Sequence, residues 1–207
     1  MLSVDKPFLE FGKLDKCLSK YGERFEYENE KQVIYSGDVN KDETFVILKG
    51  VISLMWGDNI LVGITQAPFI MGLADVVMKT DVKYKLITES HCTGYHLPAS
   101  KTISIIEQCQ LWREAFSWLA WQHSMLEIRD LQLIGNNSYD QIRATLISMM
   151  KWDDLLRSRV GVMNYIHQRT RISRSVVAEV LAALRKGGYI EMNKGKLLNI
   201  NRLPFEY

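Results

Sequence analysis

One segment of this 207-residue chain constrains the fold more than any other. It reads Ser173-Arg174-Ser175-Val176-Val177-Ala178-Glu179-Val180-Leu181-Ala182-Ala183-Leu184-Arg185-Lys186-Gly187-Gly188. Ser173 is placed to cap a helix N-terminus. Val177, Val180, Leu181 and Leu184 recur at i, i+3, i+4 and i+7, which predicts a single buried stripe. Gly187-Gly188 supplies a left-handed stop. Arg174, Ser175, Ala178, Glu179 and Ala182 fall on the other side, toward the N-terminal half. That is where a recognition helix presents side chains to base edges in a major groove.

The flanking residues extend the pattern. Tyr189 to Met192 and Leu197 to Ile200 are strand candidates joined by the turn Asn193-Lys194-Gly195-Lys196. A helix followed at once by a hairpin with a lysine-rich tip is the layout of a winged helix-turn-helix. Upstream, Val160 to Thr170 predicts the first helix of the pair, with Met163 and Ile166 facing the core and Arg171-Ile172 as the turn. A helix over about Tyr139 to Trp152 begins with Ser138 and Gln141 in capping-box spacing. Any amphipathic helix followed by a hairpin gives the same pattern, so charge has to decide. Residues 141–207 hold 12 lysines and arginines against 5 acidic residues, net +7, whereas residues 1–140 hold 14 against 19, net −5. The near-neutral total of +2 hides a basic C-terminal part, as phosphate contact requires. Arg157 and Arg159 also bracket the helix. The candidate residues for contact with double-stranded DNA are Arg169, Arg171, Ser173, Arg174, Ser175, Ala178, Glu179, Lys194 and Lys196.

No apolar run is long enough to span a bilayer, and Met1 to Gly12 lacks the apolar stretch of a signal peptide. The expected location is the cytoplasm, with no membrane partner. Cys17, Cys92 and Cys109 are scattered and odd in number, which argues against a disulfide framework. They are read as buried, inert thiols, with oxidant sensing as the alternative.

From Gly22 to Leu97 the chain alternates short β-type runs with turns: Gln32 to Tyr35, Phe45 to Leu48, Val51 to Leu54, Ile60 to Ile64 and Tyr84 to Thr88. Close spacing of this kind predicts a sandwich or barrel. The order Ile34, Gly37-Asp38 and Phe45-Val46-Ile47-Leu48-Lys49-Gly50 resembles the opening of a cyclic-nucleotide-binding β-roll. Ser173-Arg174-Ser175-Val176-Val177 resembles the Ser-Arg-x-Thr-Val that opens the recognition helix of the cyclic-AMP receptor protein and FNR family. The resemblance covers nearly the whole chain. It implies an α+β fold: a β-roll over 1–108, a long dimerisation helix and hinge over 109–137, and a winged helix-turn-helix over 138–207.

The departures from that family are specific. Its nucleotide cassette carries a Gly-Glu pair with a downstream Arg-Ser or Arg-Thr. The matching stretch here, Phe69 to Thr80, has Gly72 but neither the Glu nor the Arg. Lys79, Lys83 and Lys85 offer charge without the planar fork of arginine. Cyclic-nucleotide binding in the family manner is therefore not expected, and no small-molecule effector is assigned. An FNR-type cluster needs about four cysteine ligands, and only three are present. His91, His96, His123 and His167 leave haem open in principle, but no cofactor or metal is expected. The turn of the helix pair departs too, with His167 and Arg171 where the family often has a small residue and Gly. Glu179 stands where the family has an arginine. Glutamate accepts from cytosine and arginine reads guanine, so the preferred site should differ.

Cys109 to Ile134 lacks Pro and Gly and predicts one long helix. Trp112, Leu119, Leu126 and Leu133 recur every seven residues, as do Leu111, Trp118 and Met125 on the adjacent line, while Phe116, Trp121 and Ile128 widen the apolar surface. One line can cover the β-roll while the other meets a second copy. Leu111, Trp118, Met125, Leu119 and Leu126 are the candidate dimer contacts. A fully buried core helix is the alternative. Gly135-Asn136-Asn137 ends the helix and is a hinge candidate. A homodimer would set two recognition helices about 34 Å apart. Two other readings compete. A β-roll can house a metal-dependent, cupin-like enzyme, but His91 and His96 lack the required His-x-His spacing, and no catalytic constellation is apparent. Alternatively, the N-terminal part is a protein-interaction module without a small ligand.

Overall fold

A computed structural model describes residues 4–40, 42–57, 60–75, 77–78 and 84–205. The chain divides into two compact units, Met1–Ile128 and Arg129–Tyr207. The division falls inside the long helix rather than at its ends.

In the first unit, helix α1 (Phe8–Leu18) precedes β1 (Glu23–Tyr27), β2 (Val33–Ser36), β3 (Glu43–Lys49), β4 (Val51–Trp56), β5 (Ile60–Gln66), β6 (Phe69–Met71), β7 (Tyr84–Thr88) and β8 (Cys92–Pro98). These strands form two antiparallel four-stranded sheets, ordered β1-β8-β3-β6 and β2-β7-β4-β5. The inward residues of both sheets, among them Ile34, Val46, Ile47, Ile52, Leu86 and Leu97, are buried together, as a half-solvated antiparallel roll requires. Helices α2 (Ala99–Gln108) and α3 (Trp112–Leu133) close the unit. All five strands read from the sequence are present. Strands β1, β6 and β8 and helices α1 and α2 were not read from the sequence.

The long helix begins later than its sequence predicts. Cys109 caps α2, Gln110 takes a left-handed φ of 56°, and Leu111 lies before α3. The turn lets α3 lay Ala115, Trp118 and Trp121 on the roll. Trp118 is fully buried, with its ring 5.6 Å from Phe11 and 5.0 Å from Trp121. Its indole N–H and the Gln122 amide both donate to the Ile70 carbonyl, at 3.4 and 2.9 Å. Leu111 is buried in the same core. These two candidate dimer contacts are therefore corrected: their side chains are covered by their own chain. Leu119 is half-buried and packs against the core, Leu126 is half-buried, and Met125 is exposed.

The second unit takes the C-terminal end of α3 and adds α4 (Ser138–Met149), α5 (Asp154–Arg159), α6 (Val162–Thr170), α7 (Arg174–Lys186) and the hairpin β9 (Ile190–Asn193) and β10 (Lys196–Ile200). Its core holds Ile142, Leu146, Met149, Leu156, Val162, Ile166, Val177, Leu184 and Leu197. The cap of α4 is Asn137, whose side chain accepts from the Asp140 N–H at 2.9 Å, so the Ser138 capping box does not form. Helix α5 was missed because six residues show no full period. Asp153 caps it, accepting from Leu156 N at 2.8 Å. Val162, Tyr165, Ile166 and Arg169 are the buried face of α6, and Met163 faces solvent rather than the core.

Candidate nucleic-acid interface

Helices α6 and α7 are joined by a three-residue turn. Arg171 ends α6 at φ 65°, the conformation a glycine would adopt without strain. Two side chains brace the connection. The His167 Nδ1–H donates to the Ile172 carbonyl at 2.8 Å, and the Ile172 N–H donates to Thr170 Oγ1 at 3.2 Å. Here His167 and Arg171 make the turn with a ring hydrogen bond where the family pattern relies on small residues. Ser173 caps α7, accepting from the Val176 N–H at 3.4 Å, and shares a hydroxyl contact with Ser175 at 3.1 Å. The stripe Val177, Val180, Leu181 and Leu184 is buried. Arg174, Ser175, Ala178, Glu179 and Ala182 are exposed together. Val176, read only as part of the helix, is 37% exposed beside them and offers a methyl surface. Its place in the first turn was the available signal. Gly187 is right-handed, and Gly188, at φ 69°, makes the stop.

The hairpin turns through Lys194 and Gly195, at φ 46° and 76°. Two successive left-handed residues define the tight turn whose twist matches antiparallel strands. The hairpin is fastened to α6 and α5: the Val162 N–H donates to the Gly195 carbonyl at 3.0 Å, and Lys196 Nζ donates to the Arg159 carbonyl. Lys194 is exposed at the tip, while Lys196 is half-buried and tied to α5. Arg157, at the base of α5, pairs with Asp154 and reaches the carbonyls of Met150 and Trp152.

Arg169 is corrected as a phosphate contact. It sits seven residues after Val162 on the inward face of α6 and is only 7% exposed. Its Nη2 donates to Gln132 Oε1 at 3.1 Å. Burial pushes the Tyr165 phenol up, and the adjacent Arg169 charge opposes that rise. A basic residue at a stripe position is thus a core tie, not a surface charge.

In the β-roll, Gly72 has φ 83°, and a Cβ there would lie 2.3 Å from the Glu43 carbonyl oxygen. The turn therefore admits no side chain at that position. Beyond it, the Tyr35 hydroxyl donates to Asp75 Oδ2 at 3.3 Å. A carboxylate is held at this turn, a poor setting for a phosphate. Val76, Lys79, Thr80 and Lys83 lie outside the described residues, and Lys85 is a strand residue of β7 paired with Ser36 and Met55. The histidines form separate pairs: His91 with Glu26 at 2.7 Å, His96 with Glu43 at 3.4 Å and His123 with Glu127 at 3.4 Å. Among the described residues no three His, Cys, Asp or Glu side chains converge as a metal site. Of the thiols only Cys92 is buried, contrary to the expectation for all three.

Residues 138–205, which hold this interface, match the family model for winged helix-turn-helix DNA binding. The inhibitor of hydrogen peroxide resistance of Escherichia coli strain K12 is 75% identical over 207 residues, covering the whole of both chains. The chain belongs to the inhibitor of hydrogen peroxide resistance family. Its likeness to solved structures shows that this family member has the CRP/FNR fold. The c-di-GMP responsive global regulator CLP of Xanthomonas campestris aligns at a TM-score of 0.77 and 14% identity, covering 92% of this chain and 99% of that one. A transcriptional regulator of the CRP family from Thermus thermophilus aligns at 0.61 and 16%, covering 86% and 92%. Among the described residues of this family member, no helix is long and apolar enough to cross a membrane.

Proposed function

We propose that this chain is a dimeric, sequence-specific regulator of transcription that acts in the cytoplasm during oxidative or other stress. In this reading it has no enzymatic activity and does not bind cyclic nucleotide in the manner of the cyclic-AMP receptor protein. The observation that carries the reading is the N-terminal half of α7. Arg174, Ser175, Ala178 and Glu179 are exposed on one side of a capped helix whose other side is buried. Arg174 is suited to a bidentate guanine contact and Glu179 to a cytosine amine. Ser173 and Arg171 stand beside them at the turn, and Lys194 and Lys196 supply wing charge for phosphate.

Dimerisation is assigned to the outer line of α3. Trp112, Phe116, Leu119, His123 and Leu126 follow alternating spacings of four and three, as a two-helix seam requires. Phe116 is 72% exposed in the single chain, and a second copy would cover it. At about 3.6 residues per turn, Met125 lies on the opposite side of α3 from Phe116 and is left out of this seam. The stress role is suggested by the name of the relatives. The test is selection of genomic fragments by the purified protein at moderate salt. The reading expects a two-fold symmetric site with half-sites about one helical turn apart. Retention of DNA without any motif would overturn it.

A further inference from the structure

The exposed side of α7 has two margins of different chemistry. Arg174 stands at one. At about 3.6 residues per turn, Glu179 lies roughly 140° around the axis from it, and Val176 roughly 60° further on. Between Arg174 and Glu179 lie only Ser175, Ala178 and Ala182, all exposed and all small. Val176 and Glu179, three residues apart, are neighbours on the helix surface. Helical side chains lean toward the N-terminus, which brings the longer Glu179 chain back over the turn that holds Val176. Both are exposed, and among the described residues the Glu179 carboxylate has no hydrogen-bond or ion-pair partner.

A carboxylate facing DNA is repelled by phosphate, so it has to meet an amine on a base edge. Cytosine N4 and adenine N6 both supply one. The group beside that amine separates them. Next to N6, adenine shows the N7 acceptor; next to N4, cytosine shows carbon 5, which is apolar. Val176 keeps the shape of the threonine in the family's Ser-Arg-x-Thr-Val without its hydroxyl, so it offers methyl surface and no hydrogen bond. Against N7 it would strip water from an acceptor and return nothing, a net cost. Against carbon 5 it meets a matching surface.

We propose that Val176 and Glu179 together read one pyrimidine, and that the pair prefers 5-methylcytosine to cytosine there. Glu179 accepts from the N4 amine while Val176 packs on the carbon-5 methyl. Thymine carries the same methyl but turns its O4 acceptor toward the carboxylate, so it is rejected. Covering one methyl group strengthens binding about three- to four-fold per half-site. Methylation of that cytosine therefore tightens the complex without changing the base sequence. The inference rests on α7 being the recognition helix and adds the chemistry of its second margin.

The test uses the full-length protein and duplexes carrying the site recovered from genomic fragments. In one half-site, each C·G pair is replaced in turn by 5-methylcytosine·G and by T·A, and affinities are measured by competition at fixed salt. One position should bind about three- to four-fold more tightly when methylated and about five-fold or more weakly as T·A. Val176→Ala should lose the gain from the methyl group and keep the preference for cytosine over thymine. Glu179→Ala should lose that preference at the same position. Retention of DNA without any motif would overturn the recognition-helix reading together with this inference. A defined site at which no cytosine gains from methylation would overturn this inference alone. So would a methyl gain that survives in Val176→Ala, or a Glu179→Ala effect confined to a different position.

Discussion

Replacing Phe116 by alanine should weaken the dimer while leaving the fold of the single chain intact. The magnitude follows from its exposure. A phenylalanine buries about 150–250 Å² when fully covered. With 72% of its surface still exposed in one chain, about 110–180 Å² per copy is available to a partner. At about 25 cal/mol per Å², full covering would contribute roughly 3–4.5 kcal/mol per copy. A two-helix seam covers such a ring only in part. Taking half of that area in each of two copies leaves about 3–4.5 kcal/mol per dimer, a 10²- to 10³-fold rise in the dimer dissociation constant. Sedimentation equilibrium over a wide concentration range reads that constant directly. The melting temperature of the monomeric fraction should stay near the native value, because Phe116 covers no core. Met125→Ala should leave dimerisation near native. A dissociation constant unmoved by Phe116→Ala, or one moved more by Met125→Ala, would refute the seam.

Other expectations separate core ties from contact residues. Arg169→Ala should destabilise the C-terminal unit by about 1–3 kcal/mol, since Gln132 and Tyr165 lose a buried partner. Under conditions where the variant is folded, its salt slope for DNA binding should match the native one. Lys194→Ala should weaken binding to all sequences and reduce the salt slope by about one per contact, read from affinities at several salt concentrations. Ser173→Ala should cost about 1 kcal/mol of stability by chemical denaturation, because the cap accepts from Val176 N. Stability should also depend on alkaline pH with opposing signs. Burial lowers Lys6 from 10.5 to about 8, so the unfolded chain holds that proton longer and stability rises between those values. Burial and the Asp75 and Asp15 partners raise the Tyr35 and Tyr95 phenols above 10. Their contribution is full below pH 10 and declines as pH rises past it. Denaturation midpoints of Lys6→Met and Tyr95→Phe from pH 7 to 11 should each lose one of these slopes.

The winged helix was legible because its determinants are local. A serine cap, a one-sided valine and leucine stripe, paired glycines and a Lys-Gly turn each fix their own few residues, and each is where the sequence put it. The roll was legible in its five strongest strands for the same reason. What the sequence hid depends on partners distant in the chain. Two adjacent lines on α3 carry the same seven-residue spacing, and only the location of Phe11, Phe69 and Ile70 decides that Trp118 turns inward. Arg169 looks like surface charge until Gln132 and Tyr165 are seen beside it. The left-handed Arg171 could not be read from composition either, since a hydrogen bond from His167 replaces the usual glycine.

Base reading from α7 is tested most directly by measuring how Arg174→Ala ranks single-base variants of the selected site against the native protein. The account predicts that the native protein loses about 1–3 kcal/mol for a substitution at the contacted base pair, and that Arg174→Ala no longer distinguishes that position. Its preferences at other positions should stand. An Arg174→Ala protein with an unchanged ranking at every position would contradict the assignment of α7 as the recognition helix.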